Sequence, residues 1–239
     1  MAAIRAAVGN SGRTITNVTR DAYRNPEQTL TFFGVTPEQT VVEVWPGGGW
    51  YTEVLAPLLR DKGTLVAAHF DPESDVGFFK RSRAQFEEKL AEHPERYDQV
   101  QLTTLNYDAD TPITEPGSAD RVLTFRNVHN WLAAGDGKAE VMFDKFYAAL
   151  KPGGMLGVVE HRAKAGTSLE QMIESGYVTE RKCASWPATP VLNCCRLAPP
   201  TKTRATPPIT PRVSGRCRPR CAWVMSNARI IWPLVKATA

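Results

Sequence analysis

Val41-Val42-Glu43-Val44-Trp45-Pro46-Gly47-Gly48-Gly49-Trp50-Tyr51-Thr52-Glu53-Val54-Leu55 is the stretch on which the fold turns. Thr40 to Trp45 is β-branched and nearly continuously apolar, as a strand covered on both faces of a parallel sheet must be. Glycines follow, and Thr52 to Arg60 then reads as a helix with Val54, Leu55, Leu58 and Leu59 inward. Glycines between a buried strand and a helix let the backbone approach a ligand without a Cβ in the way. The unpaired N–H groups of the helix start then face that ligand. Glu43 inside the apolar run demands a partner, because an unpaired buried carboxylate is costly.

Working outward, residues 1–15 read as a flexible N-terminal arm. Asn25-Pro26-Glu27 has the grammar of a helix start, with Asn as cap and Pro at the first helical position. Gly34 ends that helix. Downstream, Leu65–Phe70 is a second strand and residues 76–92 an amphipathic helix. Gln99–Leu105 and Ala119–Phe125 are strands three and four. Lys138–Leu150 has helical apolar spacing, Lys151-Pro152-Gly153-Gly154 breaks it, and Met155–Val159 is a fifth strand. Alternation of this kind predicts a Rossmann-like α/β fold, a doubly wound and mostly parallel sheet. Its domain is residues 16–180.

The glycine loop is not a dinucleotide fingerprint, because Thr52 stands where the third small residue of G-x-G-x-x-G belongs. No Lys-Ser/Thr pair follows, so it is not a P-loop either. The run VVEVWPGGGWYTEVLAPLL instead resembles motif I of class I S-adenosylmethionine-dependent methyltransferases. It is especially similar to a bacterial subgroup of predicted methyltransferases. The family pattern has Gly two places after the acid, whereas this chain has Trp45. Asp120-Arg121-Val122-Leu123 with Asn127-Val128-His129-Asn130-Trp131 resembles motif IV, and Leu150-Lys151-Pro152-Gly153-Gly154 before an apolar strand is also typical.

That resemblance implies S-adenosyl-L-methionine as cofactor and a small molecule as methyl acceptor. Glu43 would lie under the methionine end, with Gly47 and Gly49 passing against it and Pro46, Gly48, Trp50 and Tyr51 completing the loop. Asp71, ending strand two, would bind both ribose hydroxyls, a task suited to a carboxylate. Asp108 or Asn106, after strand three, would sit near the adenine amino group. Asn127 and its neighbours would line the transfer cleft. Two other functions compete: a non-catalytic Rossmann-like ligand-binding module, and a nucleic-acid binder acting through a basic tail.

Transfer to an oxygen or nitrogen nucleophile needs in-line approach and, for some acceptors, removal of a proton. His129 and His161 are the candidate bases. Glu160 and His161 are strand neighbours and point to opposite faces, so at most one of them faces substrate. His69, His129 and His161 fall at strand ends, yet their spacings match no compact metal-ligand motif, so no metal is expected.

Charge is divided unevenly. Residues 181–239 carry 11 of the 29 Lys/Arg and none of the 25 Asp/Glu, leaving a body with 18 basic against 25 acidic side chains. All 5 cysteines and nine of the 18 prolines also fall in that tail. A body without cysteine suits a reducing compartment. No stretch approaches the roughly 18–20 apolar residues that span a bilayer, and no signal peptide is evident, so a cytoplasmic protein without membrane contact is expected. The tail, rich in Pro and Arg and without periodicity, reads as translated out of frame. In the neighbouring register Trp223-Val224 must encode Gly, Trp232-Pro233 must encode Ala, and acids and helix–strand grammar return. Residues 181–239 are therefore expected to be disordered, the sheet to lack its last strands, and its edge to lie open.

Overall fold

The structure is a computed structural model that describes residues 1–108 and 110–186, together with the backbone of 230–235. Four short helices come first: α1 (Ala2–Val8), α2 (Ile15–Val18), α3 (Asp21–Arg24) and α4 (Pro26–Phe32). Then follow β1 (Thr40–Val44), α5 (Thr52–Leu59), β2 (Thr64–His69), α6 (Gly77–Glu92), α7 (Pro94–Tyr97) and β3 (Val100–Thr104). The second half holds β4 (Ala119–Phe125), α8 (Val128–Ala133), α9 (Lys138–Ala149), β5 (Leu150–Glu160), α10 (Leu169–Ser175), α11 (Glu180–Cys183) and β6 (Ile230–Val235).

The strand order is β3-β2-β1-β4-β5-β6. The first five strands run parallel, and β6 pairs antiparallel along the outer edge of β5. This is the doubly wound sheet that the alternation predicts. Each central strand is buried on both sides. Val42, Val44, Val66, Ala68 and Val122 face α8 and α9, whose Trp131, Met142 and Phe146 fill that layer. Val41, Leu65 and Leu123 face Leu30, Phe33, Val54, Leu55 and Leu59. Burial of such side chains, about 1.5–3 kcal/mol each, holds the layers together. Gly157 on β5 marks how tightly they fit: a Cβ there would stand 2.7 Å from Leu123 and 2.8 Å from Phe33.

Several expectations need correction. Residues 1–15 are not a loose arm, for α1 buries Ile4 and Ala7 against the α4–α5 layer. Ile4 and Ala7, three apart, form the apolar stripe of one helical face. Asn25 makes no side-chain cap; it is left-handed (φ 45) and turns the chain between α3 and α4. Lys151-Pro152-Gly153-Gly154 does not interrupt α9 and β5 but lies inside β5, where the pairing register with β4 shifts. The domain does not stop at residue 180: Cys183 and Trp186 are buried, and the Trp186 ring stacks on Phe143 at 4.5 Å. The β5 edge is not open, since residues 230–235 pair along it. The remainder of the tail, with the out-of-frame reading that falls on it, lies outside the described residues. Among the described residues, no helix is long and apolar enough to cross a membrane.

Candidate functional site

In open parallel sheets the crevice opens where the strand order reverses, beyond the carboxyl ends of the strands. Here that point lies between β1 and β4. A cleft of about 590 Å³ occupies it, lined by Trp45, Pro46, Gly47 and Gly48 after β1, by Phe125, Arg126 and Asn127 after β4, and by His161 after β5. Asn17, Arg20 and Arg24 form the facing wall, with Trp50, His129 and the Ser175–Tyr177 turn closing the ends.

The loop is shaped from beneath. His69 is fully buried; its Nδ1 accepts from the Phe70 N–H at 2.7 Å, so Nε2 carries the proton and donates to the Gly47 carbonyl at 3.1 Å. Burial drives this imidazole down to about 4, which keeps it neutral. Lys89 donates to the Gly48 carbonyl at 2.9 Å. A trans peptide sets N–H opposite C=O, so the Gly48 N–H points away from His69. Gly47 is left-handed (φ 58), and a Cβ on Gly47 or Gly48 would meet nothing within 4 Å, so open space lies above both. Gly49, also left-handed (φ 77), faces the other way, toward Phe86, Lys89 and Thr52.

Trp45 departs from the family's glycine yet keeps a glycine-like backbone (φ 45). Its indole turns into the core, donating from Nε1 to the Leu105 carbonyl at 2.9 Å among Phe70, Phe79, Tyr107 and Trp131. The loop path therefore survives the substitution, with some backbone strain.

Glu43 is 1% exposed and accepts from Thr52 Oγ1 at 2.7 Å. Burial raises its carboxyl to about 7 against the opposing pull of Thr52 and Lys89. It lies behind the loop and does not line the cleft. Asn127 does line it, and its Nδ2 ties the ends of β1 and β4 together by donating to the Val44 carbonyl at 3.0 Å.

His129 Nδ1 lies 3.1 Å from Glu160 Oε2, and the His129 N–H also donates to that oxygen. Glu160 is 0% exposed, and its Oε1 accepts from the His161 N–H at 2.9 Å. A carboxylate at Nδ1 accepts, which leaves Nε2 of His129 as the basic nitrogen. His161 stacks on Tyr177, and burial holds its imidazole below the usual range. Adjacent residues thus do face apart: Glu160 runs under His129 while His161 borders the cleft. No motif in the sequence joins Glu160 to His129; the need of a fully buried carboxylate for a partner was the available signal.

The structure brings Pro46, Gly47, Gly48, Trp50, Asn127, His129 and His161 around one cleft. Besides Glu43, four expected residues stand elsewhere. Tyr51 stacks on Phe125 at 3.6 Å in the core, where burial pushes its phenol to about 12. Gly49 packs beneath the loop. Asp108 is exposed and shapes a turn, its Oδ1 accepting from the Asp110 N–H. Asp71 does not end β2 but follows it by two residues; it meets Asn106, whose Nδ2 donates to it at 3.2 Å, and neither residue lines the cleft.

The wall opposite the loop was absent from the sequence expectation. Glu53 accepts from the Thr14 N–H, Thr14 Oγ1, Asn17 Nδ2 and Lys89 Nζ. Burial pushes its carboxyl up, but these donors overcome that and leave it below the ordinary value. Arg13 grips Asp21 with two hydrogen bonds, and the Trp50 indole donates to the Asn17 carbonyl. Among the described residues, no three His, Cys, Asp or Glu side chains cluster to hold a metal.

This is the class I methyltransferase fold. A solved S-adenosylmethionine-dependent methyltransferase from Aquifex aeolicus superposes with a TM-score of 0.52 at 16% identity, over 70% of this chain and 78% of that one. An arsenic(III) S-adenosylmethionine methyltransferase from Chlamydomonas reinhardtii follows at 0.49 and 15% identity, covering 76% of this chain and 59% of its own. A SAM-dependent O-methyltransferase from Thermotoga maritima matches at 0.43 and 16% identity, covering 73% and 54%. No family model matches the sequence, and no curated protein does.

Proposed function

We propose that the chain is a methyltransferase that moves a methyl group from S-adenosylmethionine to a small acceptor. One observation carries this reading: a cleft at the strand-order reversal joins an open glycine turn to a histidine backed by a buried carboxylate. The open space over Gly47 and Gly48 fits the backbone contact that the amino-acid end of the cofactor requires. When bound, the cofactor supplies an electrophilic methyl on a sulfonium.

The chain's own part is positioning and proton removal. His69 and Lys89 hold the loop carbonyls so that its N–H groups are preset, and Asn127 fixes the separation of β1 and β4. Asp71, held by Asn106, would supply the carboxylate for the ribose hydroxyls. His129, with Nδ1 on Glu160, accepts the acceptor's proton at Nε2, an effect typically worth about 10²–10⁴-fold. His161, its imidazole held below the usual range by burial, borders the acceptor side.

Titration calorimetry of the full chain with S-adenosylhomocysteine tests the first half, and turnover with a panel of small acceptors the second. Saturable binding with turnover supports the enzyme. Binding without turnover leaves the non-catalytic ligand-binding module, and no binding removes both.

A further inference from the structure

Within this reading, we propose that the acceptor carries an anionic group, a carboxylate or a phosphate, which docks on Arg20, Arg24 and Arg126. The three arginines reach one cleft from separate places. Arg20 precedes α3, Arg24 ends it, and Arg126 follows β4 on the opposite wall. With His129 and His161 they give a lining of three guanidiniums and two imidazoles, and among the described residues no Asp or Glu belongs to it.

This concentration runs against the protein's own composition. Residues 1–180 carry 18 basic side chains against 25 acidic ones, so a chance lining would hold more acid than base. Four carboxylates near the cleft are engaged away from it. Glu160 sits under His129, Glu43 behind Thr52, Asp21 on Arg13, and Glu53 on Lys89 and Thr14.

Two of the guanidiniums are placed with some effort by the fold. Arg24 lies over the Trp50 ring, 4.6 Å from its centroid, a cation–π contact that fixes it at the rim. Arg126 adopts a left-handed backbone (φ 61) while its N–H donates to the Val159 carbonyl at 2.6 Å. A non-glycine residue in that region is strained, and such strain persists mainly where the surrounding structure imposes it, often at functional sites. Each of the three also interacts within the fold. The positive field of Arg126 and Arg24 also reaches His161, where both help hold the imidazole down. Planar guanidiniums match carboxylate and phosphate oxygens in pairs.

One other source of the same chemistry exists, the carboxylate of the cofactor's amino-acid end. The test separates the two. The full chain is titrated with inorganic phosphate and with benzoate, alone and with saturating S-adenosylhomocysteine, in wild type and in Arg20→Gln/Arg24→Gln. An Arg24→Lys variant controls for charge. The expected result is that at least one anion still binds in the presence of S-adenosylhomocysteine, at least tenfold more weakly in the double Gln variant, with Arg24→Lys in between. Loss of anion binding on S-adenosylhomocysteine saturation assigns the arginines to the cofactor and overturns the proposal, as does equal binding by the double variant. If S-adenosylhomocysteine fails to bind while arginine-dependent anion binding persists, the anion site stands and the methyltransferase reading falls.

Discussion

His129 and Glu160 lie 31 positions apart, on α8 and at the end of β5, yet Glu160 Oε2 is within 3.3 Å of both Nδ1 and the backbone N–H of His129. Two contacts from one oxygen fix the ring's tilt as well as its tautomer. Replacing His129 with Ala should lower turnover by about 10²–10⁴-fold while S-adenosylhomocysteine affinity stays within about threefold. Glu160→Gln, which loses the fixed acceptor at Nδ1, should fall between. Steady-state kinetics beside calorimetry checks this, and full turnover by His129→Ala would remove the base.

Glu43 gives a stability signature with a definite sign. Its folded value of about 7 lies above the ordinary 4.5, so the folded state holds a proton that the unfolded chain releases. Stability must then decline as pH rises from about 4.5 to 7 and level off above. The full effect is roughly 3 kcal/mol, from about 1.4 kcal/mol per pH unit. Glu43→Gln should flatten this slope and unfold at higher denaturant than wild type at pH 8. Parallel slopes in the two proteins would contradict it.

Asp71 and Asp108 separate two placements of the cofactor's nucleoside. A carboxylate serving both ribose hydroxyls contributes about 1.5–3 kcal/mol, so Asp71→Ala should weaken S-adenosylhomocysteine binding about 10- to 100-fold. Asp108→Ala, on an exposed turn, should stay within about twofold of wild type. Equal affinity in Asp71→Ala would place the ribose elsewhere.

Gly157 needs its missing side chain. A methyl there would press on Leu123 and Phe33 below any ordinary contact distance, at 2.7–2.8 Å. Overpacking of this kind costs about 1–3 kcal/mol. Gly157→Ala should therefore lower the denaturation midpoint by that much, and an unchanged midpoint would show that the layer has slack.

The sheet was legible because each strand is a short apolar run bounded by turn residues, and Ala119–Phe125 matches residue for residue. The glycine turn was legible from Pro46 to Gly48. What escaped depends on contacts between distant residues. Tyr51 looks like part of the loop but packs on Phe125, 74 positions on, because its side chain faces the α5 layer. The first helix hid in small residues, Ile4 and Ala7 being its whole apolar stripe. Arg20 and Arg24 carry no local pattern and become cleft residues only once Glu53 and Arg13 seat their segment. Lys151-Pro152-Gly153-Gly154 has the composition of a break, but parallel pairing with β4 absorbs it as a bulge.

Because Asn17, Arg20 and Arg24 reach the cleft on a segment held by polar contacts from Glu53, Arg13 and Trp50, that half of the site can open locally while the sheet stays intact. Ligand occupancy and local opening of residues 13–24 then become one linked equilibrium. A compound bridging both sides would slow amide exchange in that segment first, and loss of the mooring would abolish affinity well before the sheet melts.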